Sequence, residues 1–247
     1  MEEQVNKNVA DPGEEETKGS IWRLQGIFFE PSATFEDINK KPTFLVALLL
    51  TIVIALIGWT IIDSLVDLQE LMEAQIKAAP QAEGLSQDQI ELQASYTVPF
   101  IKWAAPILIP PLMMLLVAAL MLLMAFLTGG MTTFKKLTSV VSYTFFFQTV
   151  ISITLMVIVF AVVSDPEAIN LQNPVSSNLG FLFDAEDSPV LFKLASSADI
   201  IVWYVIFLLG LGLSKVSEGI KVGKGFVLVA VMYLIYVSIG VAWAMIF

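Results

Sequence analysis

Beyond residue 42 the chain alternates long apolar runs with polar joints. The runs cover about 43–62, 99–128, 137–163, 194–214 and 225–247. Twenty helical residues rise about 30 Å, the thickness of a bilayer's hydrocarbon core, so each run predicts a membrane-spanning helix. The first is uncharged throughout, the second carries no charge after Lys102, and the fourth carries one acid, Asp199. Pro106, Pro110 and Pro111 remove amide donors inside the second run and predict a kink around 107–111.

The stretch ahead of the first run has a different rhythm. Ser20 can cap a helix in which Ile21, Trp22, Leu24, Ile27, Phe28 and Phe29 share a broad apolar face, with Arg23, Gly26 and Glu30 on the other. Pro31 ends that piece. Ser32 can cap a second, with Glu36 and Asp37 near its positive end, and Lys40 and Lys41 mark the water boundary. Residues 20–42 therefore predict amphipathic interfacial helices with Trp22, Phe28 and Phe29 at headgroup level; the alternative is that the same face packs on the bundle. Residues 1–19 are acidic and lack apolar surface, which predicts a disordered tail.

Two joints are long. In 63–98, Leu65, Leu68, Met72 and Ile76 recur at helical spacing and extend the first span, while Ser86 and Gln89 form a capping box for a short helix leading to Pro99. In the joint 164–193, the stretch 164–188 is rich in Asn, Ser, Gly and Pro and predicts irregular chain.

Composition sharpens this picture. Hydrophobic residues make up 57% of the 247 and charged residues 15%, against about 25% charged in soluble domains. The deficit is confined to the five runs, so the fold class expected is an all-α, polytopic integral membrane protein of five spans (43–247) behind an interfacial helix. The net charge of −10 sits in the tail and the long joints. No basic patch suggests nucleic acid. The first apolar run starts too late for a cleavable signal peptide and reads as an uncleaved anchor.

Lysines take sides. Lys40 and Lys41 precede the first span, Lys135 and Lys136 join the second and third, and Lys215, Lys221 and Lys224 lie between the fourth and fifth. The long joints are mostly acidic. The positive-inside rule then places the N-terminus in the cytoplasm and the C-terminus outside.

Candidate chemistry is sparse. With no histidine or cysteine, disulfides, thiol nucleophiles, zinc sites built on those residues, haem ligation by them and a Ser-His-Asp triad all drop out. No phosphate loop or nucleotide fingerprint is present, so neither cofactor nor metal nor enzymatic activity is expected. Lys102 and Asp199 are the polar residues at the margins of spans, and could pair with each other. The triple proline could line a cavity or only bend the helix. Lys40, Lys41, Lys135 and Lys136 could meet anionic headgroups. The leading expectation is a scaffold for a membrane-protein or lipid partner; a transport protein using Asp199 and the proline span is the competing class.

Three stretches carry a resemblance: GIFFEPSATFEDINKKPTFLVALLL from Gly26, LTGGMTTFKKLTSVVSYT from Leu127 and ADIIVWYVIFLLGLGLSKVSEGIKVGKGFVLVAVMYLI from Ala198. In order and spacing the chain resembles the Yip family, multi-span proteins named for interaction with Ypt/Rab GTPases, and within it the bacterial branch. The resemblance implies a five-helix domain of the bacterial cytoplasmic membrane with its N-terminus inside. The aspartate-, glycine- and proline-containing motif of the eukaryotic members has no counterpart here, so GTPase binding is not carried over.

Overall fold

The computed structural model describes residues 17–79, 82, 84–166, 169, 171, 173–175, 177–183 and 187–246. Among the described residues ten α-helices follow one another: α1 Gly19–Phe29, α2 Pro31–Lys40, α3 Leu45–Leu65, α4 Leu68–Ala78, α5 Gln87–Pro99, α6 Ala105–Leu127, α7 Phe134–Val162, α8 Pro189–Ser196, α9 Ile200–Val216 and α10 Val222–Ile246. Among the described residues there is no strand, only an isolated bridge between Met131 and Glu218. The acidic tail expected over 1–19 falls outside the described residues up to position 16, and Gly19 already belongs to α1.

Four helical stretches are long and apolar enough to cross a bilayer: Leu45–Leu65, Gln87–Leu127, Phe134–Val162 and Val222–Met245. Only 17–22% of each apolar window is buried. A soluble protein could not leave that much contiguous apolar surface in water, so the exposed faces belong in lipid and the molecule is a multi-pass integral membrane protein.

The fourth crossing departs from expectation. The run at 194–214 is two helices, α8 and α9, bent by 50° about Ser197–Asp199, and it counts as one span only if the pair is taken together. The second span is longer than expected: α5 runs through a π-helical turn at Phe100–Ala104 into α6. The departure from α geometry therefore lies before the kink predicted at 107–111, because Pro106 cannot bond to the carbonyl of Lys102 and the preceding turn widens to take up the mismatch. The outward extension of the first span is likewise interrupted. Val66 is extended, and Asp67 starts α4 afresh by accepting from the amides of Gln69 at 2.9 Å and Glu70 at 3.1 Å. The capping box forms as expected: Ser86 Oγ accepts from the Gln89 amide, and Gln89 Oε1 from the Ser86 amide at 2.8 Å.

The long helix α7 is the hub, packed by α1, α2, α3, α6 and α9. Its inward residues Leu137, Val140, Val141 and Tyr143 join Met121, Leu208 and Leu213 in the main core. α9 and α10 meet backbone to backbone, since a Cβ on Gly225 would stand 2.3 Å from the Gly210 carbonyl oxygen. A smaller core of Ile62, Val66, Leu68, Leu71 and Phe160 closes the acidic end.

Candidate functional site: a clamped platform at the lysine-rich end

Two short helices and two turns meet at one end of the bundle. α1 packs on α2 and α7, and α2 lies on α9 and α7. What holds them is a polar cluster that the pattern of the sequence placed on the wrong face. Arg23, which the spacing sets opposite the apolar face with Gly26 and Glu30, is 1% exposed. Its Nε donates to Asp37 Oδ2 at 2.6 Å, Nη1 to Thr43 Oγ1 at 2.7 Å and Nη2 to the Asp37 carbonyl at 3.0 Å. Asp37 Oδ1 also accepts the Lys18 amide at 3.0 Å. Each of the three guanidinium nitrogens thus makes a bond that closes α1, α2 and the approach to α3 into one piece. Gly26 makes the closure possible: a Cβ there would come within 2.3 Å of Thr34 Oγ1 on α2.

The caps differ too. Ser20 and Ser32 do not cap; α1 begins at Gly19 behind Lys18, and Pro31 occupies the first turn of α2 behind Glu30. Ser32 sits inside the helix, 3.4 Å from Glu36 Oε1. A second tie joins platform to bundle, where Lys215 Nζ donates to Glu36 Oε1 at 2.5 Å. That hydrogen bond, ahead of a desolvation effect of opposite sign, holds the Glu36 carboxyl below its ordinary range.

The expected interface residues divide by face. Phe28 is half-buried, its ring 5.0 Å from Phe147 and 6.0 Å edge-on to Phe146 on α7. Phe29 and Ile21 project outward, 85% and 77% exposed. Trp22 is half-buried, with Lys18 Nζ 4.0 Å above its ring. The broad apolar face predicted for α1 is therefore split between protein and surroundings.

Lys40 and Lys41 share this end with Lys135 and Lys136. The hydroxyl of Ser142, two turns beyond Lys135 on α7, donates to the Phe44 carbonyl at 2.9 Å, which fixes the start of α3 beside the start of α7. Lys40, Lys41 and Lys135 are exposed and Lys136 is half-buried. The two basic turns are also stitched together. The amides of Met131 and Glu218 exchange hydrogen bonds with each other's carbonyls at 3.0 and 2.9 Å, Thr132 Oγ1 donates to the Val216 carbonyl and Lys224 Nζ to that of Thr128.

Lys102 and Asp199 are not brought together. Lys102, on the π-turn, is paired with Asp63 at the end of α3. Asp199 lies ahead of α9, not within it: Oδ1 accepts the amides of Ile201 at 2.7 Å and Val202 at 3.1 Å, and Oδ2 takes the Ser177 hydroxyl at 2.6 Å and the Asn178 amide at 3.2 Å. All four bonds serve the helix start and the loop before it. Pro106 is buried at the first turn of α6, while Pro110 and Pro111 are half-buried within the helix. Among the described residues no cluster of His, Cys, Asp or Glu could hold a metal ion.

A family model described as "Yip1 domain" matches residues 26–244. The match reaches from the middle of α1 to the last turns of α10, taking in platform and bundle together. The chain matches none of the curated proteins and none of the solved structures.

Proposed function

The chain belongs to the Yip1 domain family, and from that premise we propose that it is a non-enzymatic scaffold that organises a protein or lipid partner on the clamped platform. The observation that carries this reading is the buried Arg23–Asp37 clamp. It fixes two amphipathic helices on the bundle while leaving Ile21 and Phe29 outward beside a lysine-rich rim. A preformed surface of this kind binds without first having to order itself.

The lysines support a cytoplasmic-facing rim by the positive-inside rule, and the family resemblance supports a bacterial inner membrane as its setting. There each could contribute about 1 kcal/mol towards anionic headgroups. The test is quantitative lipid analysis of the purified protein after Lys40, Lys41, Lys135 and Lys136 are all replaced by Gln. The expected outcome is loss of co-purifying anionic lipid and of cross-linked membrane-protein neighbours, with folding intact. Unchanged recovery of both would remove this contact surface from consideration.

A further inference from the structure

Between α3, α6 and α7 lies a cleft of about 390 Å³. Its wall on α7 runs from Phe145 to Ile153, about 12 Å of helix, and its walls on the other two helices are about half that. A partner helix would need a trough along the whole span of about 30 Å. This is a pit, within the size range of small-ligand sites, roughly 300–1,000 Å³. It is also deep. Thr51 and Ala55, which line it, stand about 9 and 15 Å from the start of α3, near mid-membrane.

The polarity of the lining is unusual for that depth. Gln148, Thr149 and Ser152 all border the cleft, and among the described residues none of the three side chains has a hydrogen-bond partner. Neighbouring hydroxyls on the same helices do not behave this way: Thr51 and Thr144 each bond back to the carbonyl four residues earlier, at 2.9 Å. In hydrocarbon, polar groups left open in this way are costly unless something supplies their bonds.

We propose that the cleft is a binding site for a neutral glycerolipid of the diacylglycerol class. No charged side chain lines it, so an ionised headgroup would find no counter-charge at that depth. The Gln148 side-chain oxygen can only accept, and the occupant must therefore carry a donor to satisfy it. The hydroxyls and the Gln148 amide group can donate, so the occupant must also carry acceptors. A free hydroxyl beside ester carbonyls meets both demands, whereas a quinone offers acceptors alone. The largely apolar remainder of the pit suits the acyl chains.

The experiment uses the full chain in phosphatidylcholine–phosphatidylglycerol vesicles containing a diacylglycerol with a diazirine on one acyl chain. Irradiation and peptide mapping should place the cross-links on 109–113 and 145–153. Plain diacylglycerol should compete them away, and neither ubiquinone nor added phosphatidylglycerol should do so. Gln148→Leu and Ser152→Ala should each lower capture at least about fivefold, the worth of one hydrogen bond. Thr154→Val, exposed on α7 outside the cleft, should leave it unchanged. Labelling spread evenly over the lipid-facing helices, or quinone or phospholipid competing as well as diacylglycerol, overturns the proposal. Should the polar variants fail to fold, Met113→Trp at the exposed rim fills the pit by volume alone, and undiminished capture there also overturns it. The lysine platform is tested by a separate lipid class, so the two readings fail independently.

Discussion

Replacing Arg23 with Met should release the two interfacial helices and leave the membrane bundle standing. The side chain is 1% exposed and its partner carboxylate 7%, so the substitution strands a nearly buried negative charge. Breaking a buried pair from one side costs about 3–5 kcal/mol. The lower end applies here, because Asp37 keeps one bond from the Lys18 amide. About 3 kcal/mol multiplies the undocked population by roughly two decades. Hydrogen exchange in lipid nanodiscs reads this directly. Amides of 19–40 should exchange about a hundredfold faster, and those of α6 and α9 should not change. Removing the stranded charge should then repair much of the loss, so that Arg23→Met with Asp37→Leu costs clearly less than the two single changes summed. An acceleration below about tenfold for Arg23→Met, or strict additivity in the double variant, would refute the clamp.

Two further outcomes follow from the same geometry. The Glu36 carboxyl is depressed in the folded protein, so its tie to Lys215 is fully present above the ordinary carboxylate range and fades as pH falls through the lower folded-state value. The contact is largely exposed and worth about 0.2–1 kcal/mol at most; carbon-13 titration of Glu36 should show the low midpoint, and Lys215→Ala should raise it towards the ordinary carboxylate range. Asp199→Ala should destabilise by about 2 kcal/mol, the upper range for a helix cap, and Asp199→Asn by less than half as much in thermal unfolding in detergent. Equal losses for the two would mean that the charge, not the cap, matters.

Much of the membrane architecture could be read because hydrocarbon thickness leaves a length signature that survives any packing detail. Four of the five runs map directly onto long helices, and the lysines of separate joints do gather at one end. The fourth run was harder for a definable reason. Mean apolarity across 194–214 is high, but Asp199 sits just ahead of amides that need an acceptor, and capping chemistry outweighs hydropathy there. Reading Asp199 as the start of a helix, with Ser197 and Ala198 as a joint, would have found the bend. The prolines also act ahead of the stretch where the kink is expected. Their missing amides act on the turn before them, which is why the π-turn lies at Phe100–Ala104 and not among the prolines.

The reversal on α1 has a more general cause. Periodicity separates two faces of a helix, but it cannot say which face meets protein when the surroundings are themselves apolar. In water an amphipathic helix turns Arg23 and Gly26 outward because nothing else would hydrate the guanidinium. Beside a bilayer the apolar residues Ile21 and Phe29 can be satisfied by lipid, and the arginine becomes the group with most to gain from the protein interior, provided an acid waits there. Asp37 is that acid, on the next helix, and Gly26 is the small residue that lets the helix approach. The same logic links the platform to the mid-membrane cleft. Where the solvent is hydrocarbon, polar side chains mark where contacts must be made. Arg23, Thr34 and Asp37 on α1 and α2 already make theirs within the chain, while among the described residues the side chains of Gln148, Thr149 and Ser152 make none.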